Sequence, residues 1–404
     1  MSERRPQVSS LARRIHGWSW QAFPIGMGTG AVYVTLSAIE ERTPTLTTIE
    51  TIFYFLNMAL FLLNTMTLLL QAIIYPRQAW RLMQDPVKGI FVPLVVLSFA
   101  TIIIGTINYA VPTKHVSPDL IYGLFWVYVV FALVTCFPML MIWFNKPHDL
   151  SHFTPAYAFL VFPMMLVGVV AFNVLNVIEL EDSRALGVLF LGYFFQGLGF
   201  FMTFFYICIY IIRIMTTGFL EGHQANGAFV ACGPPGFTAL ALINLGKHAR
   251  ELLPMYNLVS PQAGEIWYAV SVMSALMLYG LAVFLFLFGV IPYWFKLHKH
   301  LNEILGCWAL TFPNVGWINT TKVLAKELNI KGLLTVHAIF TVLIFLTWII
   351  LIVLTILAFW KGLIFLSKEE DVIRDTVGVE VLNSDADSIE QEKHSHGVQG
   401  HNHV

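Results

Sequence analysis

The sequence predicts an all-α integral membrane protein: ten transmembrane helices forming five helical hairpin repeats, with the five odd helices inside around a central pore and the five even helices facing lipid. Three observations carry that prediction. Of 404 residues, 57% are apolar and only 12% are Asp, Glu, Lys or Arg, about half the charged share of a soluble domain. Ten apolar runs reach the length of about 20 residues that spans a bilayer. A proline recurs inside alternate runs at nearly constant spacing. The near balance of 23 basic and 24 acidic residues excludes the single-sign field that binding nucleic acid needs.

The runs fall at 18–39, 48–75, 89–110, 119–144, 153–178, 185–212, 226–248, 264–295, 306–327 and 333–363. Each is read as a helix, because lipid leaves only helices and closed barrels to satisfy the backbone, and the alternating ten-residue segments of a barrel are absent. The first run begins well into the chain, is long and lacks a small-residue cleavage site, so it is expected to stay attached rather than serve as a signal peptide. Residues 1–17 then form an amino-terminal tail and 18–363 the ten-helix domain. Residues 364–404 form an acidic tail ending in His394, His396, His401 and His403, expected to be unstructured. Both tails and the loops on their side carry 15 Lys and Arg against 8 in the opposite loops, so the positive-inside rule places both termini in the cytosol. Cys136, Cys208, Cys232 and Cys307 lie in apolar runs with no close-spaced pair. Neither a disulfide framework nor a metal site is expected from them, and no cofactor is implied.

Each odd run carries an interior proline near its cytosolic third: Pro24, Pro93, Pro163, the pair Pro234 and Pro235, and Pro313, spaced 69, 70, 72 and 78 residues apart when Pro235 is counted. Among even runs only Pro138 is clearly interior. A proline removes a backbone donor and clashes with the preceding turn, so each break needs neighbours to satisfy a freed carbonyl. Such helices belong inside, around a cavity. All five run outward from the cytosol, so five helix starts with positive dipole ends converge on one axis, which favours an anion there.

No Asp, Glu, Lys or Arg occupies the centre of a run, so nothing resembles a fixed intramembrane proton relay or voltage sensor. His337, on an outer helix, reads best as an interfacial histidine. The groups able to replace water around an anion lie on the odd helices: Thr29, Ser98, Thr101, Asn108, Asn173, Thr238, Asn314, Asn319 and Thr320, each also suited to hydrogen bonding between helices. Cations gather at the outer ends of inner helices, with Lys247, His248 and Arg250 after the seventh and Lys322 and Lys326 on the ninth; they either draw anions to one mouth or anchor the interface. Phe312, Phe23 and Phe162 each precede a proline, where a ring beside a break can close the narrowest point of the axis.

The run from Cys232 to Asn244 (CGPPGFTALALIN), the Trp308–Pro313 block WALTFP and the Phe195–Phe200 block FQGLGF resemble the tellurite-resistance/dicarboxylate transporter family, slow anion channel-like, over about residues 15–363. The likeness is greatest to its fungal malic acid transport proteins and less to the sulfite efflux pumps. It implies a five-pair pore, a trimer, transport of malate, succinate and related C4-dicarboxylates across the plasma membrane, and a pore-occluding phenylalanine at Phe312; with no fixed charge inside the runs, protons as partners would travel on the substrate. A sulfite or small inorganic anion channel of the same fold is the rival reading. A membrane-embedded enzyme would need acidic pairs, metal-spaced histidines or an activated nucleophile, and the runs contain no such motif.

Overall fold

The computed structural model describes residues 8–295 and 300–376. Every regular element among them is helical. In chain order these are α1 (Ser10–Gly17), α2 (Phe23–Leu36), α3 (Pro44–Ile74), α4 (Pro76–Gln84), α5 (Leu94–Tyr109), α6 (Pro118–Phe144), α7 (Phe162–Leu175), α8 (Arg184–Thr217), α9 (Gly233–Met255), α10 (Ala263–Phe295), the one-turn α11 (Ile304–Cys307), α12 (Phe312–Glu327), α13 (Lys331–Trp360) and α14 over 369–376. Seven stretches among the described residues are long and apolar enough to cross a membrane, which makes this a multi-pass membrane protein.

The helices sort into two layers. α2, α5, α7, α9 and α12 each pack against the next, and α12 returns to α2, so these five close a ring. Each also packs against the long helix that follows it: α3, α6, α8, α10 and α13. Burial separates the layers. In the most apolar windows of Gly89–Tyr109 and Gln224–Met255, 83% and 89% of residues are buried, against 22 to 39% in the five outer helices. The outer surface is covered by exposed Leu, Ile, Val, Met and Phe, which is stable only where the surrounding solvent is lipid.

The inner spans are not kinked helices, and this corrects the sequence reading. Each begins as a 3-10 segment and becomes α-helical at its proline: Trp20–Ala22, Gly89–Phe91, Pro155–Leu160, Gly222–Cys232 and Trp308–Leu310 lead into α2, α5, α7, α9 and α12. Pro24, Pro163, Pro234, Pro235 and Pro313 occupy the first helical turn, and Pro93 caps α5. Proline is favoured there because its missing N–H would have no intrahelical partner anyway. The α-helical parts of α2, α7 and α12 are consequently only 14, 14 and 16 residues long.

Neighbours satisfy the carbonyls at these junctions. Asn64 of α3 donates to the Ala22 carbonyl at 3.2 Å, Tyr128 of α6 to that of Pro163 at 2.9 Å, and Ser98 of α5 to that of Phe23 at 3.3 Å. Gln71 donates to the carbonyls of Ile15, His16 and Trp18. Asn57, Asn64 and Gln71, seven residues apart on α3, form a buried polar seam on an outer helix. A seven-residue period keeps all three on the side facing the ring.

The start of the inner helices defines a proximal face, and the other end a distal face. On the proximal face the chain ends meet. Residues 364–376, placed by the sequence in an unstructured tail, are instead folded back onto α1. Ser367 and Arg13 exchange backbone and side-chain hydrogen bonds, His16 Nδ1 lies 2.7 Å from Ser367 Oγ, and buried Asp375 engages both His16 Nε2 at 2.9 Å and Arg81 of α4. The burial of these groups explains why composition misled: a short amphipathic segment gains a fixed structure from partners distant in sequence. His394, His396, His401 and His403 lie outside the described residues.

Candidate functional site

The ring encloses a proximal vestibule of about 350 Å³. Its walls come from the helix starts and their 3-10 lead-ins: Pro24 and Met27 on α2, Ile90, Phe91 and Leu94 before and on α5, Phe159 before α7, and Val230 before α9. Phe312 and Pro313 at the start of α12 complete the lining. His152, Thr154, Gln224 and Asn226 supply polar groups, and no Lys or Arg among the described residues lines it. Buried Arg213 is turned away, with its guanidinium on the carbonyls of Ser151 and Gly218 and on Gln224 Oε1.

The three candidate gate rings are in different places. Phe312 is buried and lines the vestibule, with its ring 5.1 Å from that of Phe237 on α9 at an interplanar angle of 31°. Phe23 points outward, against Phe61 and Trp20, and lines a separate cavity on the lipid side. Phe162 is fully buried against Phe159 and beside Gly233 at the start of α9. Phe237, which the sequence reading did not single out, lies two residues after Pro235 and so at the level of the break.

Most hydroxyls proposed from sequence to line the pore face neighbouring helices. Thr29 donates to the Ile25 carbonyl and accepts from Trp348 Nε1 of α13. Thr101 accepts from Asn57, Thr238 accepts from Gln196 of α8 at 2.8 Å, and Thr320 donates to the Gly236 carbonyl. Ser98 is spent on Phe23, as described. Asn314 is buried, donating to the Leu310 carbonyl and accepting from Trp317 and Cys232. The reason is energetic: in a dry helix interface an unpartnered hydroxyl costs more than one bonded across it.

The asparagines of the distal half differ. Asn108, Asn173 and Asn244 are partly exposed on helices that are otherwise mostly buried. The amides of Asn173 and Asn244 donate to carbonyls one turn earlier on their own helices. Both stand ten residues after their proline (Pro163, Pro234), so the repeat puts them at one level. Asn319 Nδ2 reaches the Val34 carbonyl while its Oδ1 has no partner.

Three of the five mouth cations are neutralised by carboxylates: Lys247 by Glu327 at 2.7 Å, Arg250 by Glu265 at 2.7 Å and Lys326 by Glu40 at 2.8 Å. The Lys326 ammonium holds the loop carboxyl of Glu40 below its usual range. His248 is joined to Asn176 at 3.1 Å, linking α9 to α7 across the mouth. Lys322 is half-buried and has no carboxylate partner among the described residues. His337 is buried on α13 with Nε2 unpartnered.

A closed ring of short helices around a vestibule and an outer lipid-facing layer define a membrane channel or carrier. A family model described as voltage-dependent anion channel matches residues 17–356; the chain belongs to that family. It is 29% identical over 366 residues to the malic acid transport protein of Schizosaccharomyces pombe, covering 89% of this chain and 83% of that one. It is 24% identical over 365 residues to the sulfite efflux pump of Arthroderma otae, covering 88% and 93%. It is also 24% identical over 361 residues to an uncharacterized transporter of Methanocaldococcus jannaschii, covering 87% and 96%. The chain is a transport protein rather than an enzyme.

Proposed function

We propose that the protein moves malate and related C4-dicarboxylates, succinate among them, through the axis of the inner ring across the plasma membrane, with Phe312 as the gate. The observation that carries this reading is the position of Phe312. Its buried ring lines the apolar vestibule, and in this reading it stands between that space and a distal half bearing Asn108, Asn173, Asn244 and Asn319. In this reading the five inner spans and the five long outer helices cross the membrane as five pairs, the proximal face with both termini is cytosolic, and three copies assemble as the family resemblance implies.

Among the described residues the vestibule has no fixed cation, so in this reading an anion there rests on backbone N–H groups at the helix starts and on neutral donors. Such binding is weak, in the millimolar range. A dicarboxylate carrying one proton is desolvated at less cost than the dianion, so it is the favoured species in acid. Purified protein in liposomes, tested with labelled malate, succinate and sulfite under imposed pH and voltage gradients, checks this: malate flux rising with acidity is expected. The second reading, efflux of sulfite or another small inorganic anion, is favoured by the similarity to sulfite efflux pumps. Sulfite flux without malate flux would decide for it.

A further inference from the structure

A second cavity of about 370 Å³ lies on the lipid side of the vestibule wall. It runs between α3 and α6 beneath α4. Leu69 and Val134 in its lining are 53% and 65% exposed on the outer surface, where the solvent of membrane-crossing helices is hydrocarbon. Its back is formed by Phe23 of α2 and by Val92 and Val95 at the start of α5. Their chain neighbours Pro24, Phe91 and Leu94 line the vestibule. At two of the five inner-helix starts, then, the wall between lipid and pore is a single stretch of backbone with one side chain on each side.

The depth of the cavity points to its occupant. Its lining on α3 begins at Thr65, whose hydroxyl is buried without a hydrogen-bond partner, and ends under Ala79 and Met83 of α4. Thr65 precedes the start of α4 by eleven residues, roughly 16 Å at 1.5 Å per residue, which matches one leaflet of a hydrocarbon core about 30 Å thick. α4 has the composition of a helix lying in the headgroup plane: Leu82 is buried, while Trp80 and Arg77 are exposed. Arg81 is engaged with Asp375, and Arg77 stands two residues before Ala79 at the mouth.

We propose that this cavity binds one acyl chain of a phospholipid in the proximal leaflet, with its phosphate beside Arg77 and the chain filling the space behind Phe23. The bound chain then supports the thin wall of the vestibule, and the lipid is a resident ligand rather than bulk solvent.

The test uses the full-length protein in phosphatidylcholine vesicles doped with a phosphatidylcholine carrying a diazirine on its acyl chain, with photolabelled residues mapped by mass spectrometry. Labelling at Leu68, Leu69 and Ala72 of α3 and at Val134 and Thr135 of α6 is expected severalfold above that on α8, α10 and α13. Ala72→Trp fills the mouth and should reduce labelling there to the general level. Arg77→Gln should lower it while leaving the other helices unchanged. Even labelling of all outer helices overturns the proposal. So does preference for a diazirine sterol over the phospholipid, or a disulfide formed between copies through Val134→Cys. Should Ala72→Trp fail to assemble, the wild-type labelling map decides alone.

Discussion

Phe312 is held on two sides, by Pro313, which fixes the backbone of the first turn, and by the Phe237 ring, while it lines the vestibule. An aromatic pair of this kind is worth about 0.5–1.5 kcal/mol beyond its buried area. On the proposed gating, Phe312→Ala should raise anion flux in liposomes well above wild type, with Phe312→Leu intermediate; equal flux in the three proteins would place the gate elsewhere. Phe237→Ala keeps the plug but removes its partner, so a smaller increase, up to roughly tenfold, is expected. Thr238 leads to the opposite outcome. Its hydroxyl accepts from Gln196, so Thr238→Val should cost about 1 kcal/mol of stability, read as a lower Tm, with transport per folded molecule unchanged. A loss of flux at unaltered Tm would return Thr238 to the pore.

The contact between α9 and α12 decides how closely the two rings can meet. A Cβ at Gly316 would lie 2.4 Å from the Phe237 nitrogen, and one at Gly236 would lie 2.6 Å from the Trp317 nitrogen. Backbone lies against backbone here, as small residues permit between membrane helices. Gly316→Ala should therefore force the helices apart, lower Tm and increase leak through the displaced Phe312. Gly197→Ala on α8, where a Cβ meets nothing within 4 Å, is the control and should change neither. The junction of α7 gives a milder case. Tyr128→Phe leaves the Pro163 carbonyl without its buried donor, at an expected cost of about 1–3 kcal/mol, measurable as a fall in Tm in detergent.

Across the whole molecule, the chain ends are tied to the ring through His16, Asp375, Arg81 and Gln71, so the proximal face is one connected layer of α1, α4 and α14. Asp375→Asn weakens two charged contacts at once. Hydrogen exchange in residues 8–17 should then accelerate, whereas the slow exchange of α9 and α12 should persist; unchanged exchange at 8–17 would show that the clasp does not hold α1. The asymmetry of charge along the axis belongs to the same scale. With no Lys or Arg among the described residues lining the vestibule and most distal cations already paired, those residues supply little fixed attraction for an anion, which is the basis of the proposed weak affinity.

Length, apolar content and the proline period were enough to determine a membrane protein of repeated helix pairs with alternate helices inside, because lipid restricts the backbone to helices and proline restricts where they start. The blocks around Cys232, Trp308 and Phe195 were enough to indicate the family. What each polar side chain does was legible only in the folded chain. Thr29, Thr101 and Thr238 have the same composition and spacing whether they face an axis or an outer helix, and the choice was made by Trp348, Asn57 and Gln196, which lie on other helices. Phe23 and Phe312 share one local pattern, yet one lines the cavity between α3 and α6 and the other the vestibule. Direction around a helix axis is set by packing against partners distant in sequence, and no local pattern contains it.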